Sequence, residues 1–399
     1  MTVAQPARTD LAALAREAGI RHVHLFAWRD LDDAEAGGSE HHAARVASIW
    51  ADAGLDVLMR TSTAQGHRHY PRVHREGYDV VRRSGRYFVF PHVIASESLK
   101  RYGRADAVVD IWNGVPFLTP LWFRGPRVVW LHHVHRNMWE QVLSPRFARM
   151  GKFFEGQIAP RFYRNTPVVT LSPSSRDEIV RLLRLPPANV TLAPPGIDPQ
   201  YTPGTERAPH PLVVAVGRLM PPKGFDELIR VANAVKRDVP DLELVIAGDG
   251  FEMLNLKQLV ADLGATDWVR FAGHVSEEEK LALYQQAWAV MSCSTAEGWG
   301  MTMTEAAACG TPAVATDIAG HRDSVANDRS GLLGGTTAEL VEKLRAVLTD
   351  AELRLRLSEG ALKHAADFTW EACALNTFTP LVQDALRRRG SGTGAIPAP

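Results

Sequence analysis

The chain has 399 residues, of which 45 are Lys or Arg and 45 are Asp or Glu, so its formal net charge is zero. This length exceeds what one growing core accommodates and predicts two domains, while the balanced charge excludes bulk attraction to nucleic acid. No apolar run reaches the ~18 residues of a membrane span, no basic and apolar leader opens the chain, and three cysteines, Cys293, Cys309 and Cys373, have no metal-ligand spacing and suit a reducing cytoplasm.

In chain order, residues 1–19 read as an extension and residues 20–195 as a first domain. Its opening strand, 23–28, leads to a Gly37-Gly38-Ser39 turn and a helix with Ala43, Val46, Ile49 and Trp50 on one face, ending at Gly54. Further strands are expected at 56–59, 107–111, 127–131, 168–171 and 190–193. The strand at 127–131 runs into His132, His133 and His135. A histidine at the carboxyl end of a strand can bond a substrate hydroxyl or meet developing charge. Alternate residues of a strand face opposite ways, so only His133 and His135 could share a side, and with no acidic neighbour a metal is not expected. The basic, histidine-rich stretch 66–75 reads equally as a cleft wall or a surface loop. Residues 145–154 and 161–164 mix arginines with aromatics. We read them as a helix with aromatics in the core and arginines in water; the alternative lays that helix on an anionic membrane.

The Pro- and Gly-rich stretch 196–210 reads as a linker and hinge. Residues 211–369 repeat the alternation, with strands at 212–216, 242–247, 269–272, 287–291 and 313–316 between helical patterns. Two successive βαβ series predict two doubly wound α/β domains. After the strand at 212–216 comes Gly217-Arg218-Leu-Met-Pro-Pro-Lys223, whose arginine fork and lysine point charge suit a diphosphate. Gly248-Asp249-Gly250 is fully explained as a tight turn and reads as structural unless the other motifs hold. Ser276 with Glu277, Glu278 and Glu279 is a self-sufficient helix cap.

Glu297-Gly-Trp-Gly-Met-Thr-Met-Thr-Glu305 follows the strand at 287–291 and opens a helix. Its glycines allow close backbone approach, and the free N–H groups of the helix start suit an anion. Glu305 stands in a small, apolar segment where an unpaired carboxylate is costly, so ligand hydroxyls are expected as its partners. Either glutamate alone reads as a structural residue, Glu297 as a helix cap and Glu305 on a solvated face, and the pair taken alone could be the acid and base of a glycosidase. Residues 370–388 form a final helix, and 389–399 are too small and polar to pack.

Gly37-Gly38, His132, Gly217-Arg218 with Lys223, Gly248-Asp249-Gly250 and Glu297-x7-Glu305, in that order, resemble the family 4 retaining glycosyltransferases of the GT-B fold, over roughly residues 20–385. The resemblance implies two Rossmann-like domains facing across a cleft, with the acceptor on the N-terminal side and a nucleotide-sugar donor on the C-terminal side. It implies that Arg218 and Lys223 bind the diphosphate with Gly38, that Glu305 takes the ribose hydroxyls, and that Glu297 lies beside the donor sugar. Gly300, Met301 and Thr302 offer backbone N–H groups, Val275 faces the base, and His132 stands near the transferred sugar. The final helix crosses back to the first domain. Catalytic roles fall to Glu297, His132, Arg218 and Lys223. The implied reaction is metal-free and cofactor-free hexosyl transfer from a UDP- or GDP-sugar to a glycan, lipid or small-molecule acceptor, in the cytoplasm or at the inner face of a membrane. The stretches Ala193-Pro-Pro-Gly196 and Ala319-Gly320-His321-Arg322-Asp323 depart from the family pattern and weaken any transfer of donor identity. An epimerase or phosphorylase of the same fold, or a sugar-nucleotide sensor, is the alternative.

Overall fold

A strand buried on both faces is mostly apolar, and Ala107–Ile111 and Arg127–Trp130 are buried at every position, Asp110 and Arg127 included. The computed structural model describes residues 5–63, 70–135, 139 and 144–390. They fall into two compact units, one of the described residues up to 196 together with those from 370 to 390, the other of residues 197–369.

The first unit contains, in chain order, α1 (Gln5–Ala18), β1 (His22–Phe26), α2 (Gly38–Asp52), β2 (Asp56–Thr61), β3 (Arg72–Arg75), β4 (Tyr78–Arg82), α3 (Val89–Ser98), β5 (Ala107–Ile111), α4 (Thr119–Trp122), β6 (Arg127–Trp130), α5 (Pro145–Phe153), α6 (Ala159–Tyr163), β7 (Val168–Thr170), α7 (Pro173–Glu178) and β8 (Val190–Leu192). Its sheet has the order β3-β4-β2-β1-β5-β6-β7-β8. Only β3 runs antiparallel, against β4. Part of the basic stretch expected as a cleft wall or loop is therefore an edge strand. Its charge is matched across the pair, where Arg72 and His74 bond Asp79 at 2.5 and 3.0 Å. Residues 66–69 of that stretch lie outside the described residues.

The segment expected as an N-terminal extension is helix α1, whose Leu11 is buried. The C-terminal helix, Trp370–Gly390, belongs to this first unit. It accepts the Trp50 indole N–H on the Ala374 carbonyl at 3.0 Å, and its Asp384 accepts the Arg127 backbone N–H at 3.0 Å. Arg389 donates to the Glu17 carbonyl at 3.0 Å and so ties this helix to α1.

The second unit contains β9 (Leu212–Val216), α8 (Phe225–Lys236), β10 (Glu243–Ala247), α9 (Met253–Asp262), β11 (Val269–Gly273), α10 (Glu277–Gln286), β12 (Ala289–Ser292), α11 (Met301–Ala308), β13 (Ala313–Thr316), α12 (Ala319–Ser324), β14 (Gly331–Gly334), α13 (Thr337–Thr349) and α14 (Ala351–Ala365). The parallel sheet has the order β11-β10-β9-β12-β13-β14. Helix α8 buries Phe225, Leu228, Ile229, Ala232 and Val235 against it, one stripe of a 3.6-residue period. The stretch expected as a linker is bound into this unit. Arg207 donates to the carbonyls of Tyr284, Ala287 and Gly310 at 3.2, 2.9 and 2.6 Å.

Candidate functional site

In an open parallel sheet, ligands bind beyond the carboxyl ends of strands where successive crossovers part in opposite directions. In the second unit that point is β9, with β10 on one side and β12 on the other. Arg218 and Lys223 lie on the loop after β9, and Glu297 and Gly300 on the loop after β12. The sheet order thus brings these sequence motifs to one place.

Glycines at close approaches shape both loops. Gly248 has φ +138°, and a Cβ there would lie 1.9 Å from the Gly217 carbonyl oxygen; one at Gly250 would lie 2.3 Å from that of Leu219. The two backbones are joined by Gly217 N–H to Ala247 O at 3.0 Å and Leu219 N–H to Asp249 O at 2.9 Å. What Gly248-Asp249-Gly250 supports is the Arg218 loop. Gly224, at φ +60°, brings the end of the same loop against Cys293, where a Cβ would lie 2.2 Å from the carbonyl oxygen. Thr295 N–H bonds the Pro222 carbonyl at 2.9 Å and holds the two loops together.

Lys223 Nζ lies 2.5 Å from Glu297 Oε1, which also accepts from Ser294 Oγ at 2.8 Å. Burial pushes the Glu297 carboxyl up, but the charge and hydrogen bond of Lys223 outweigh it, with help from His321 and Ser294, and hold it below its ordinary value. His321 is buried beside this pair and donates Nδ1–H to the Thr316 carbonyl at 2.9 Å. Burial lowers its pKa although Glu297 opposes this. Gly320 lets α12 press on the loop, since a Cβ there would meet the Glu297 carbonyl oxygen at 2.4 Å. Ser294 and His321 were missed by sequence reading. Ser294 stands three residues before Glu297, and His321 lies in the run noted only as a departure.

Helix α11 starts at Met301 behind Gly300, whose φ of +105° aims the chain into the helix. The backbone N–H groups of Met301 and Thr302 are in its first turn, which has no acidic residue and no carbonyl a turn earlier to bond. Glu305, one turn in, departs from expectation. Its Oε2 accepts from Tyr284 at 3.2 Å and pairs with Lys280 Nζ at 3.4 Å. Protein groups, rather than ligand hydroxyls alone, offset the cost of its burial. Burial depresses Lys280, but Glu305 and Glu277 overcome this and raise it. Lys280 and Tyr284 are four residues apart on α10, the helical spacing that puts them on one face. Val275, half-buried, immediately precedes the Ser276 cap of α10.

Gly38 and His132 belong to the first unit. Gly38 is the exposed first residue of α2. The turn before it is held by Glu40, which accepts from Gly37 N–H at 2.8 Å and Arg29 Nε at 3.0 Å. His132 is buried beyond β6, its Nε2 3.2 Å from His42 Nδ1. Burial, then the charges of His133 and His135, push His132 down to about 3. His133 and His135 do share a side, with rings stacked at 4.4 Å. Among the described residues no group of three His, Cys, Asp or Glu side chains could hold a metal ion.

Two family models match the chain in succession, Glycosyltransferase Family 4 over residues 36–201 and Glycosyl transferases group 1 over residues 203–364. Among curated relatives, the D-inositol 3-phosphate glycosyltransferase of Stackebrandtia nassauensis is 34% identical over 252 residues. That match covers 58% of this chain and 57% of the relative, little more than half of its length. Among solved structures, the sucrose-phosphate synthase of Thermosynechococcus elongatus has a TM-score of 0.77 at 20% identity, covering 94% of this chain and 100% of that one. HepE of Anabaena, in complex with UDP-glucose, has a TM-score of 0.66 at 18% identity, covering 93% and 99%. These likenesses establish the two-domain GT-B fold.

Proposed function

The chain belongs to glycosyltransferase family 4, and from that premise we propose that it transfers a hexose from a UDP- or GDP-sugar to an acceptor hydroxyl, without a metal and with retention of anomeric configuration. The observation that carries this reading is the group at the β9/β12 switch point: Arg218 on one loop, Lys223 bonded to Glu297, and a helix start at Gly300. Such a set suits a diphosphate that gains negative charge as its bond to the sugar breaks, because fixed cations and N–H dipoles need no reorganisation to meet it.

In the proposed reaction the acceptor oxygen bonds to the anomeric carbon on the face from which the diphosphate departs. The bond from that carbon to the phosphate oxygen breaks, and the departing oxygen takes the acceptor proton. Arg218, Lys223 and the N–H groups from Gly300 to Thr302 stabilise the leaving group. Glu297 orients the sugar and His132 bonds one of its hydroxyls. Glu305, held by Tyr284 and Lys280, receives the ribose, and Val275 faces the base. The UDP-glucose bound by HepE supports the donor class. The acceptor named for the inositol-phosphate relatives supports a polyol hydroxyl.

A peripheral membrane contact belongs to the same proposal. Contrary to the reading that buried its aromatics, α5 leaves Phe147, Met150 and Phe153 exposed. Beside them are Arg146, Arg149 and Lys152, and the helix has no acidic residue. No helix of the described residues is long and apolar enough to cross a membrane, so contact would be by this surface.

A thermal-shift series with UDP, GDP and ADP, followed by NMR of donor turnover in the presence of EDTA, tests the reading. Stabilisation by UDP or GDP is expected, with an α-configured donor giving an α-configured product. A β product would refute retention, and no stabilisation by any nucleotide would refute the donor site. Turnover only with inorganic phosphate would indicate a phosphorylase, and inversion at a ring carbon of the free sugar nucleotide an epimerase.

A further inference from the structure

We propose that His42 and Cys373 are positioning residues that fix the ring and tautomer of His132, through a buried chain of hydrogen bonds anchored where the polypeptide leaves and re-enters the first unit. The inference rests on the reading of His132 as the group beside the transferred sugar.

All three side chains are buried, at 6%, 1% and 1% exposure for His132, His42 and Cys373. His132 Nε2 lies 3.2 Å from His42 Nδ1, and His42 Nε2 lies 3.3 Å from Cys373 Sγ. The thiol in turn donates to the Ala193 carbonyl at 3.8 Å, and the Gly196 backbone N–H reaches the sulfur. Ala193 and Gly196 close the first pass through this unit, and Cys373 follows shortly after the return at Trp370. The chain therefore links the two crossing segments to the histidine.

A carbonyl oxygen only accepts and a neutral imidazole carries one N–H, so the proton positions follow from the Ala193 end. Burial holds the thiol protonated, and its S–H points to Ala193. The sulfur then accepts from His42 Nε2–H. His42 Nδ1 accepts from His132 Nε2–H, and His132 Nδ1 is left with its lone pair. Burial keeps both imidazoles neutral, since the pKa values of His42 and His132 are strongly lowered. His132 is thereby an acceptor for a sugar hydroxyl rather than a cation. The ring of His42 is also held by Trp130, edge-on at 5.1 Å. A purely structural role would need this packing and none of the nitrogens.

That difference sets the experiment. Long-range 1H–15N spectra of histidine-labelled protein report each imidazole tautomer, with His132 assigned from its loss in His132→Gln. The Nε2–H tautomer is expected, neutral across about pH 5 to 8. In His42→Phe, which keeps the shape, and in Cys373→Ala, His132 should lose that single tautomer; Cys373→Ser, which keeps a donor, should retain it. Hydrolysis of UDP-glucose as probe should fall on the order of ten-fold in kcat in His42→Phe, the worth of one hydrogen bond, with KM and UDP affinity unchanged. An Nδ1–H tautomer, or a His132 spectrum and kcat unaltered in both His42→Phe and Cys373→Ala, would overturn the proposal. Failure to bind UDP, GDP or ADP would instead defeat the donor reading and leave the tautomer result standing.

Discussion

At the scale of single residues, Lys223 and Glu297 are the most exposed to test, because each depends on the other. A hydrogen bond to a charged group contributes about 1.5–3 kcal/mol, so Lys223→Ala and Arg218→Ala should each lower donor affinity or rate on the order of 10- to 100-fold. Steady-state kinetics with the active donor checks this, and near-wild-type rates in both variants would refute the assignment. The pH dependence follows from the same pair. Glu297 is held below its ordinary value by Lys223 against the opposing effect of burial. A depressed carboxyl contributes stability that is complete above the unfolded value of about 4.3 and is lost as pH falls through the folded value. In Lys223→Met burial is no longer opposed by that cation, so the Glu297 pKa rises and the acid limb of the rate profile moves to higher pH. An unmoved limb would mean that the lysine does not set the state of Glu297. The legible part of the site is what a motif states locally: Arg218, Lys223, Glu297 and the helix start at Gly300. Lys280, Ser294 and His321 were not legible, because ordinary polar residues become partners only when α10, α12 and the loop after β12 are brought together.

At the scale of elements, alternation and apolar runs identified most of the parallel strands, while the antiparallel β3 and the parallel β4 and β14 escaped. The first two mix charge with Val and Tyr because their polar groups pair with each other at a sheet edge, and β14 is four residues between glycines. The role of Gly248 emerges only from the fold. Ala at Gly248 must be strained at φ +138° and must displace the Gly217 carbonyl, whereas Ala at Gly264, at φ +64°, meets nothing within 4 Å. Backbone strain of this kind costs of order 1–3 kcal/mol. Gly248→Ala should thus lower both melting temperature and UDP affinity, and Gly264→Ala should lower the melting temperature alone; equal UDP affinity in the two would remove the link between Gly248 and Arg218. Helix α5 is the element whose aromatic side was misread: Arg146 and Arg149 lie in water as expected, but Phe147 and Phe153 are exposed as well. Alternation of Arg and Phe specifies a helix with two stripes but not which stripe meets protein, and only Ala148 of this helix is buried. Arg146→Glu with Arg149→Glu should abolish sedimentation with vesicles containing anionic lipid and leave donor hydrolysis in solution unchanged. Equal sedimentation of the double variant would discard the membrane contact.

At the scale of the whole molecule, the two βαβ series were evident in the sequence, but the closure of the first unit by its distant ends was only partly so. Family resemblance announced the return of the C-terminal helix, whereas its bond to α1 joins Arg389 to Glu17 and Ala18 and has no local signature. That return makes the first unit discontinuous, and its energetic weight can be estimated. The helix buries Trp370, Phe378, Leu381 and Val382, among others. Large apolar side chains contribute about 1.5–3 kcal/mol each on burial, so these four approach the ~5–15 kcal/mol of a typical domain's whole stability. Its loss would also strip Trp50 of its acceptor and leave the Arg127 backbone N–H unbonded. A chain ending at Thr369 should therefore keep the cooperative melt of the second unit and lose the near-UV circular dichroism of Trp50, Trp112 and Trp130, which are all buried in the first. UDP should still stabilise the remaining transition, because Arg218, Lys223, Glu297 and Glu305 lie wholly within residues 197–369. A near-UV spectrum preserved in the shortened chain would show that the first unit closes without the helix; loss of UDP stabilisation would show that the donor site needs the first unit.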